Sequence, residues 1–299
     1  MLNDAAAVDD DRMNVLEGIQ LQGAVNTTDD VILENIRASI RRGHAQVKPH
    51  PDQGDRVVLV GGGPSLESTL PELRDLIFDG AKLVTVNGAY RWCIEHNLQP
   101  KTQIVMDARA SNARFVDPPV PYCNYLFASQ CHPALWDAVQ GRDRVLIFHA
   151  ATGDDPRVKQ LLDDYYLGQW IGIGGGTTVM TRAVWLMRTF GYLRYDLFGV
   201  DCCWMDGAHH AYDQPENSRD KRIPFRVRAA GRDEPSRVFR CAPWHVKQVE
   251  DFLQEIRINS TRFMLNVHGD GLLAYVLRDL ADDLTLEQIG DPHEVDGTR

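Results

Sequence analysis

The chain has 299 residues, 43% of them hydrophobic and 25% charged, which is enough length and apolar content for one large folded domain with extensions. Its 32 Lys and Arg stand against 42 Asp and Glu, a formal net charge of −10 that argues against a surface built mainly to hold nucleic acid or anionic lipid by charge. No window reaches the roughly 18 uninterrupted apolar residues of a membrane span, and the acidic start MLNDAAAVDDDR lacks the basic, then apolar order of a signal peptide, so the expected compartment is the cytoplasm.

Residues 1–27 show no sustained periodicity and read as a mobile N-terminal arm. Thr28 can cap a helix with Asp29 and Asp30 in its first turn, Arg41 and Arg42 in its last and Gly43 beyond, while Ile32, Leu33, Ile36 and Ile40 mark an apolar face. The stretch HAQVKPHPDQGD follows as a linker without regular structure, so that 28–54 is a helix and linker.

From Arg56 onward, short apolar runs alternate with helical patterns. Strands are expected at 56–60, 82–86, 102–106, 125–129, 144–148, 195–200 and 262–267, and helices at about 71–79, 88–96, 133–139, 156–165, 177–190, 245–257 and 270–281. This alternation predicts an α/β fold, a doubly wound, mostly parallel Rossmann-like sheet with helices on both faces, spanning 55–285. The arginine-rich segment at about 205–243 breaks the rhythm and reads as a polar lid, with room for a hairpin, and 286–299 is an acidic tail. The lid arginines Arg219, Arg222, Arg226 and Arg228 are either solvated or close over phosphates.

The six cysteines, Cys93, Cys123, Cys131, Cys202, Cys203 and Cys241, lack C-x-x-C spacing and read as reduced, mostly buried thiols. Neighbours on a strand point to opposite faces, so Cys202 and Cys203 would rarely share a zinc ion with His209 and His210.

The first expected strand ends in Gly61, Gly62 and Gly63, followed by Pro64 and Ser65. This matches neither the Gly-Lys-Ser/Thr loop of ATPases nor G-x-G-x-x-G. It is either a cradle in which backbone approaches a phosphate or a tight strand-to-helix turn. Three other loops follow expected strands with polar groups: Asn87-Gly88, Asp107 with Arg109, and Gly199-Val200-Asp201. A further turn puts Gly174, Gly175, Gly176, Thr177 and Thr178 at a helix N-terminus, where an anion is favoured. His210 lies in a segment that would overhang the same edge, placed for a phosphate, a metal or proton transfer. Tyr90 and Trp92 read as core rather than base-stacking residues, and His132, His149 and His268 as structural.

The runs GGGPSLESTLPEL, LVTVNGAYRWCIEHNLQPKTQIVMDAR and GGGTTVMTRAVWLMRTFGYLRYDLFGVDCCWMDGAHHAY resemble the MptE-like family, which contains archaeal 6-hydroxymethyl-7,8-dihydropterin pyrophosphokinases and bacterial flagellar motility accessory factors. The order of loops is also similar to that of bacterial sialyltransferases using CMP-activated sugar. The first resemblance implies a pyrophosphokinase-type transferase taking ATP and a hydroxymethylpterin-like acceptor, with Mg²⁺ on Asp107 and Asp201 and with Asp201 and His210 in the chemistry. The second implies transfer from a nucleotide sugar, with the nucleotide held by Gly61, Gly63, Pro64, Ser65 and Asn87 and with Thr178 in the place of the family's serine; Gly62 and Thr177 are nucleotide-binding candidates from their loops. Two positions depart from the sialyltransferase pattern. Spacing for its histidine base falls on Cys241, with His245 slightly beyond, and its assisting tyrosines have no clear equivalents in Cys203, Trp204 and His210. A non-catalytic nucleotide- or sugar-binding module is the reading from another class. Partners expected are a small-molecule substrate, with no nucleic acid and no membrane span, and with room for a homo-oligomer.

Overall fold

The structure, a computed structural model, describes residues 27–150, 155–215, 220–229, 237–259, 264–278 and 284–288. The expected arm lies outside these apart from Thr27, as do residues 289–299 of the expected tail and Arg219 of the lid.

The first helix, α1 (Asp29–Ile40), starts where the sequence places its cap: the Thr28 hydroxyl accepts the Val31 N–H at 3.4 Å, and Leu33, Ile36 and Ile40 are buried. The presumed linker is more ordered than expected. Strand β1 (Ala45–Gln46) pairs with residues 146 and 147, and β2 (Gln53–Val60) starts three residues before the apolar run because its first N–H donates to the carbonyl of Gly191 at 2.8 Å. Helix α2 (Leu66–Phe78) begins five residues earlier than the sequence signal at Pro71. The Ser65 carbonyl already accepts the N–H of Thr69 at 3.0 Å, so the first turn forms before the proline.

The chain continues through β3 (Lys82–Val86), α3 (Ala89–Glu95), β4 (Thr102–Val105), a 3-10 turn (Ala110–Val116), β5 (Asn124–Ala128), α4 (Pro133–Ala138), β6 (Val145–Ala150), α5 (Pro156–Tyr166), β7 (Gly172–Ile173), α6 (Val179–Thr189) and β8 (Tyr192–Phe198). After these come β9 (Ile223–Ala229), β10 (Arg237–Cys241), α7 (Pro243–Asn259), β11 (Met264–Val267), α8 (Leu272–Arg278) and β12 (Leu284–Gln288). The main sheet runs β1-β6-β5-β4-β3-β2-β8-β11 with β7 beside β6, and each described pair in it is parallel.

Strand β2 shows why this sheet is covered on both faces. Val57 and Leu59 join the larger core, Val58 and Val60 the smaller one built with α2 and α3, and all four are fully buried. The chain leaves β2 toward β3 to β6 on one side and returns through α6 to β8 on the other. The strand order therefore reverses between β2 and β8, the kind of place where open α/β sheets bind ligands beyond the strand ends.

The segment expected as a lid with room for a hairpin carries one, and its inward face joins the core. Strands β9 and β10 pair antiparallel, with β12 on the far side of β9, and Ile223, Phe225, Val227, Phe239 and Cys241 are buried. The tail reading also shifts, since β12 runs to Gln288 rather than ending at 285. All six cysteines are free and buried. No helix among the described residues is long and apolar enough to cross a membrane.

Candidate functional site at the carboxyl edge of the sheet

Beyond β2 the glycine loop is knitted to the exit of β8. The N–H of Gly61 donates to the Phe198 carbonyl at 2.8 Å, that of Gly63 to the Gly199 carbonyl at 2.7 Å, and that of Ser65 to Oδ2 of Asp201 at 2.9 Å. Three backbone donors that could have cradled a phosphate thus hold the two loops together. Ser65 and Asp201 are 2% and 3% exposed, and the Ser65 side chain lies against the same carboxylate that its N–H bonds. Burial pushes the Asp201 carboxyl up, against the bonds from Ser65, and the neighbouring Asp270 charge adds to the rise.

Gly62 faces a different element. After Asp201 the chain bridges from Trp204 to Arg240, then turns tightly between Met205 and Ala208, with Asp206 and Gly207 both at positive φ. The turn brings residues 209–212 back over the glycine loop, where the Ala211 N–H donates to the Gly62 carbonyl at 2.8 Å. A Cβ at Gly62 would meet the Tyr212 hydroxyl and would lie 2.5 Å from His210 Cδ2, and one at Gly88 would lie 2.6 Å from Tyr212 Cε2. Only glycine at 62 and 88 lets these two side chains rest on the backbone.

The loops after β3 and β4 add unsatisfied amides. Asn87 sits at φ 47°, its carbonyl accepts Gln103 Nε2 at 2.9 Å, and its Oδ1 lacks a partner. Gln103 also donates to the Phe115 carbonyl at 2.9 Å, tying Asn87 to the 3-10 turn that carries Asn112. Asn112 is fully buried and neither end of its amide is hydrogen-bonded. Sequence reasoning missed it, because a lone Asn in a short polar run carries no pattern.

Three histidines gather above this edge. His209 and His210 meet edge to face with ring centroids 4.5 Å apart, and Trp204 lies between His209 at 5.0 Å and His245 at 5.1 Å. His245 Nδ1 accepts the Ala242 N–H at 3.1 Å, so its proton belongs on Nε2. Burial holds His245 well below its ordinary pKa, and His210 and His209 lower it further. Cys241, on which the sequence spacing fell, is fully buried with its thiol pushed well up.

At the start of α6 the contact with the glycine loop is made by Met180, whose Cε would be 3.1 Å from a Cβ at Gly61. The polar groups of Thr177 and Thr178 serve the helix itself. The N–H and Oγ of Thr177 donate to Asp251 Oδ2 at 2.6 and 2.8 Å, and the Thr178 hydroxyl accepts the Thr181 N–H at 3.3 Å as the cap of α6. A carboxylate already faces this helix start.

Asp107 and Asp201 do not make a good Mg²⁺ pair. The Asp107 carboxylate accepts the Arg109 N–H at 2.9 Å and its guanidinium at 2.5 to 3.0 Å, a fixed positive charge that repels a divalent cation. Asp201 is buried, and that burial pushes its carboxyl pKa up. No cluster of three or more His, Cys, Asp or Glu suited to a metal occurs among the described residues.

A doubly wound parallel sheet with these loops gathered at its carboxyl edge defines a Rossmann-like α/β protein. Residues 31–207, more than half of the chain, match the family described as 6-hydroxymethylpterin diphosphokinase MptE-like, and the chain belongs to this MptE-like family. The MAf glycosyltransferase from Magnetospirillum magneticum AMB-1 shares the fold at 18% identity and a TM-score of 0.59, over 80% of this chain and 36% of that one. The chain therefore spans about a third of that protein's length. A mammalian sialyltransferase in complex with Gal-beta-1-3GalNAc-ortho-nitrophenol superposes loosely, with a TM-score of 0.34 and 14% identity over 64% of this chain and 72% of that one. No curated protein matches the chain.

Proposed function

We propose that the chain is a transferase acting on a nucleotide-activated donor, with glycosyl transfer from a nucleotide sugar as the favoured reaction. One observation carries this reading. Asn87 Oδ1, both ends of the Asn112 amide and His209 Nε2 are buried without hydrogen-bond partners, and they belong to the loops after β3, β4 and β8. Buried polar atoms are normally satisfied, so such a concentration marks a surface made for a polar ligand. Asn87 and Asn112 supply the donors and acceptors that a nucleotide needs, Gly62 and Gly88 its close backbone approach, and Asp201 with His210 and His245 the proton-handling groups.

Glycosyl transfer is supported by the fold shared with a glycosyltransferase and by a charge pattern that suits Mg²⁺ poorly at Asp107. The second reading, pyrophosphoryl transfer from ATP, is supported by the family's description. Phosphorus NMR of the protein incubated with candidate donors separates them. Release of nucleotide from a nucleotide sugar without added metal supports the first, whereas conversion of ATP to AMP on a pterin alcohol in Mg²⁺ supports the second.

A further inference from the structure

The walls of the proposed site and what lies between them are chemically mismatched. Asn87 Oδ1 and the Asn112 amide offer unused hydrogen bonds, whereas the space over Gly62 and Gly88 holds the phenol ring of Tyr212. Tyr212 packs against the apolar cluster of Val60, Leu66, Ala89, Trp92 and Phe198, and lies close enough to Arg114, in the turn that carries Asn112, to feel its charge. Burial pushes its hydroxyl pKa up, so the ring stays neutral.

We propose that residues 208–212 form a strap occupying the donor crevice, with Tyr212 as its plug, and that a nucleotide binds only when this strap is displaced. The inference rests on the nucleotide-donor reading above. Gly62 and Gly88 are then required for a self-contact as well as for a ligand. The Met205–Ala208 bridge anchors the strap at its start, where the tight turn at Asp206-Gly207 lies, and the Ala211 N–H on the Gly62 carbonyl ties its main chain to the glycine loop. His210 belongs to the same strap, its ring 5.5 Å from that of Tyr212, so lifting Tyr212 also moves the candidate proton-transfer group. Access and chemistry are thereby coupled, and the site is shielded while no donor is present.

Self-occupation has a measurable consequence, because apparent affinity falls by the fraction of molecules that are open. A strap closed in about nine molecules of ten lowers affinity about tenfold. Titration calorimetry with CMP, UDP and ADP in turn, on the full chain, compares the wild type with Tyr212→Ala, which removes the plug, and Ala211→Pro, which deletes the strap's main-chain donor. Thermal melts establish that each variant is folded, and Ala211→Pro keeps the aromatic ring should Tyr212→Ala fail. The strap predicts that the variants bind the wild type's preferred nucleotide about tenfold more tightly. Equal or weaker binding by folded variants, with the wild type binding normally, overturns the strap and makes Tyr212 a wall of the site. Absence of binding by all three proteins overturns instead the donor reading on which the strap rests.

Discussion

The carboxylate of Asp201 accepts the backbone N–H of Ser65 at 2.9 Å, across 136 residues of sequence, and so fixes the exit of β8 to the start of α2. This bond gives Asp201 a structural duty that is separable from chemistry. Asp201→Asn retains an oxygen for Ser65, whereas Asp201→Ala strands a buried N–H at a cost of about 2 kcal/mol. The folded carboxyl has a raised pKa, so its favourable contribution is present at acid pH and lost as pH rises through the folded value. At pH 7 Asp201→Asn is therefore expected to melt at or above the wild-type temperature, with the gap closing toward acid pH, while donor turnover falls about a hundredfold or more. Melting curves from pH 3 to 8 and a turnover assay check both; undiminished turnover removes Asp201 from the chemistry.

Gly62 and Gly63 are adjacent yet are predicted to fail differently. A Cβ at Gly63 meets the backbone carbonyl of Gly199 at 2.8 Å, which cannot move without opening the β2–β8 junction. Gly63→Ala should cost about 2 kcal/mol or more. At Gly62 the obstacles are the side-chain ends of His210 and Tyr212, which can swing away, so Gly62→Ala should cost about 1 kcal/mol and act on residues 209–212. Denaturant melts rank the two, and hydrogen exchange at the Ala211 amide should rise in Gly62→Ala before any change in the core strands.

His149 is 1% exposed beside Tyr166 and Trp170, with both ring nitrogens unpartnered, and burial lowers its pKa from 6.5 to about 4. A depressed folded value means stability is intact above pH 6.5 and lost as pH falls toward 4, by roughly 3 kcal/mol over that window. His149→Phe should flatten this dependence and stabilise the protein most near pH 4 to 5. A variant whose pH profile still parallels the wild type would contradict the assignment.

His268 behaves in the opposite sense. Burial alone would lower its pKa, but bonds to Asp196 at 2.9 Å and Glu72 at 3.2 Å outweigh it and the net shift is upward. For Asp196 burial acts upward and is outweighed by His268, Asn266 and Arg56, leaving its pKa lowered. The histidine's contribution is full below pH 6.5 and fades as pH rises through its folded value; that of the aspartate is present above pH 3.8 and lost as pH falls through its own. His268→Asn should therefore destabilise most between these limits, as melting temperatures from pH 3 to 9 would show.

The central strands were legible because they are continuous apolar runs, as at Val57 to Val60, where both faces are covered, whereas the edge strand β11 buries none of its residues. Strand β9 was not legible, since its sequence IPFRVRA alternates, burying Ile223, Phe225 and Val227, so its arginines read as lid. The loops that matter were legible as glycine and polar residues after strands. Which groups in them remain unsatisfied was not, because the partners lie far away in sequence: Asp251 takes the donors of Thr177, and Asp201 that of Ser65. Tyr212 escaped notice for the same reason, its contact being with glycines 150 and 124 residues earlier.

On the proposed function, the carboxyl edge of this sheet holds a nucleotide. A thermal-shift panel of CMP, UDP, ADP, ATP and nucleotide sugars, each with and without Mg²⁺, tests it most directly, because a ligand that binds only the folded state raises its melting temperature. A concentration-dependent rise is expected with at least one nucleotide sugar or its nucleotide product, undiminished without Mg²⁺. No shift with any nucleotide at millimolar concentration would contradict it.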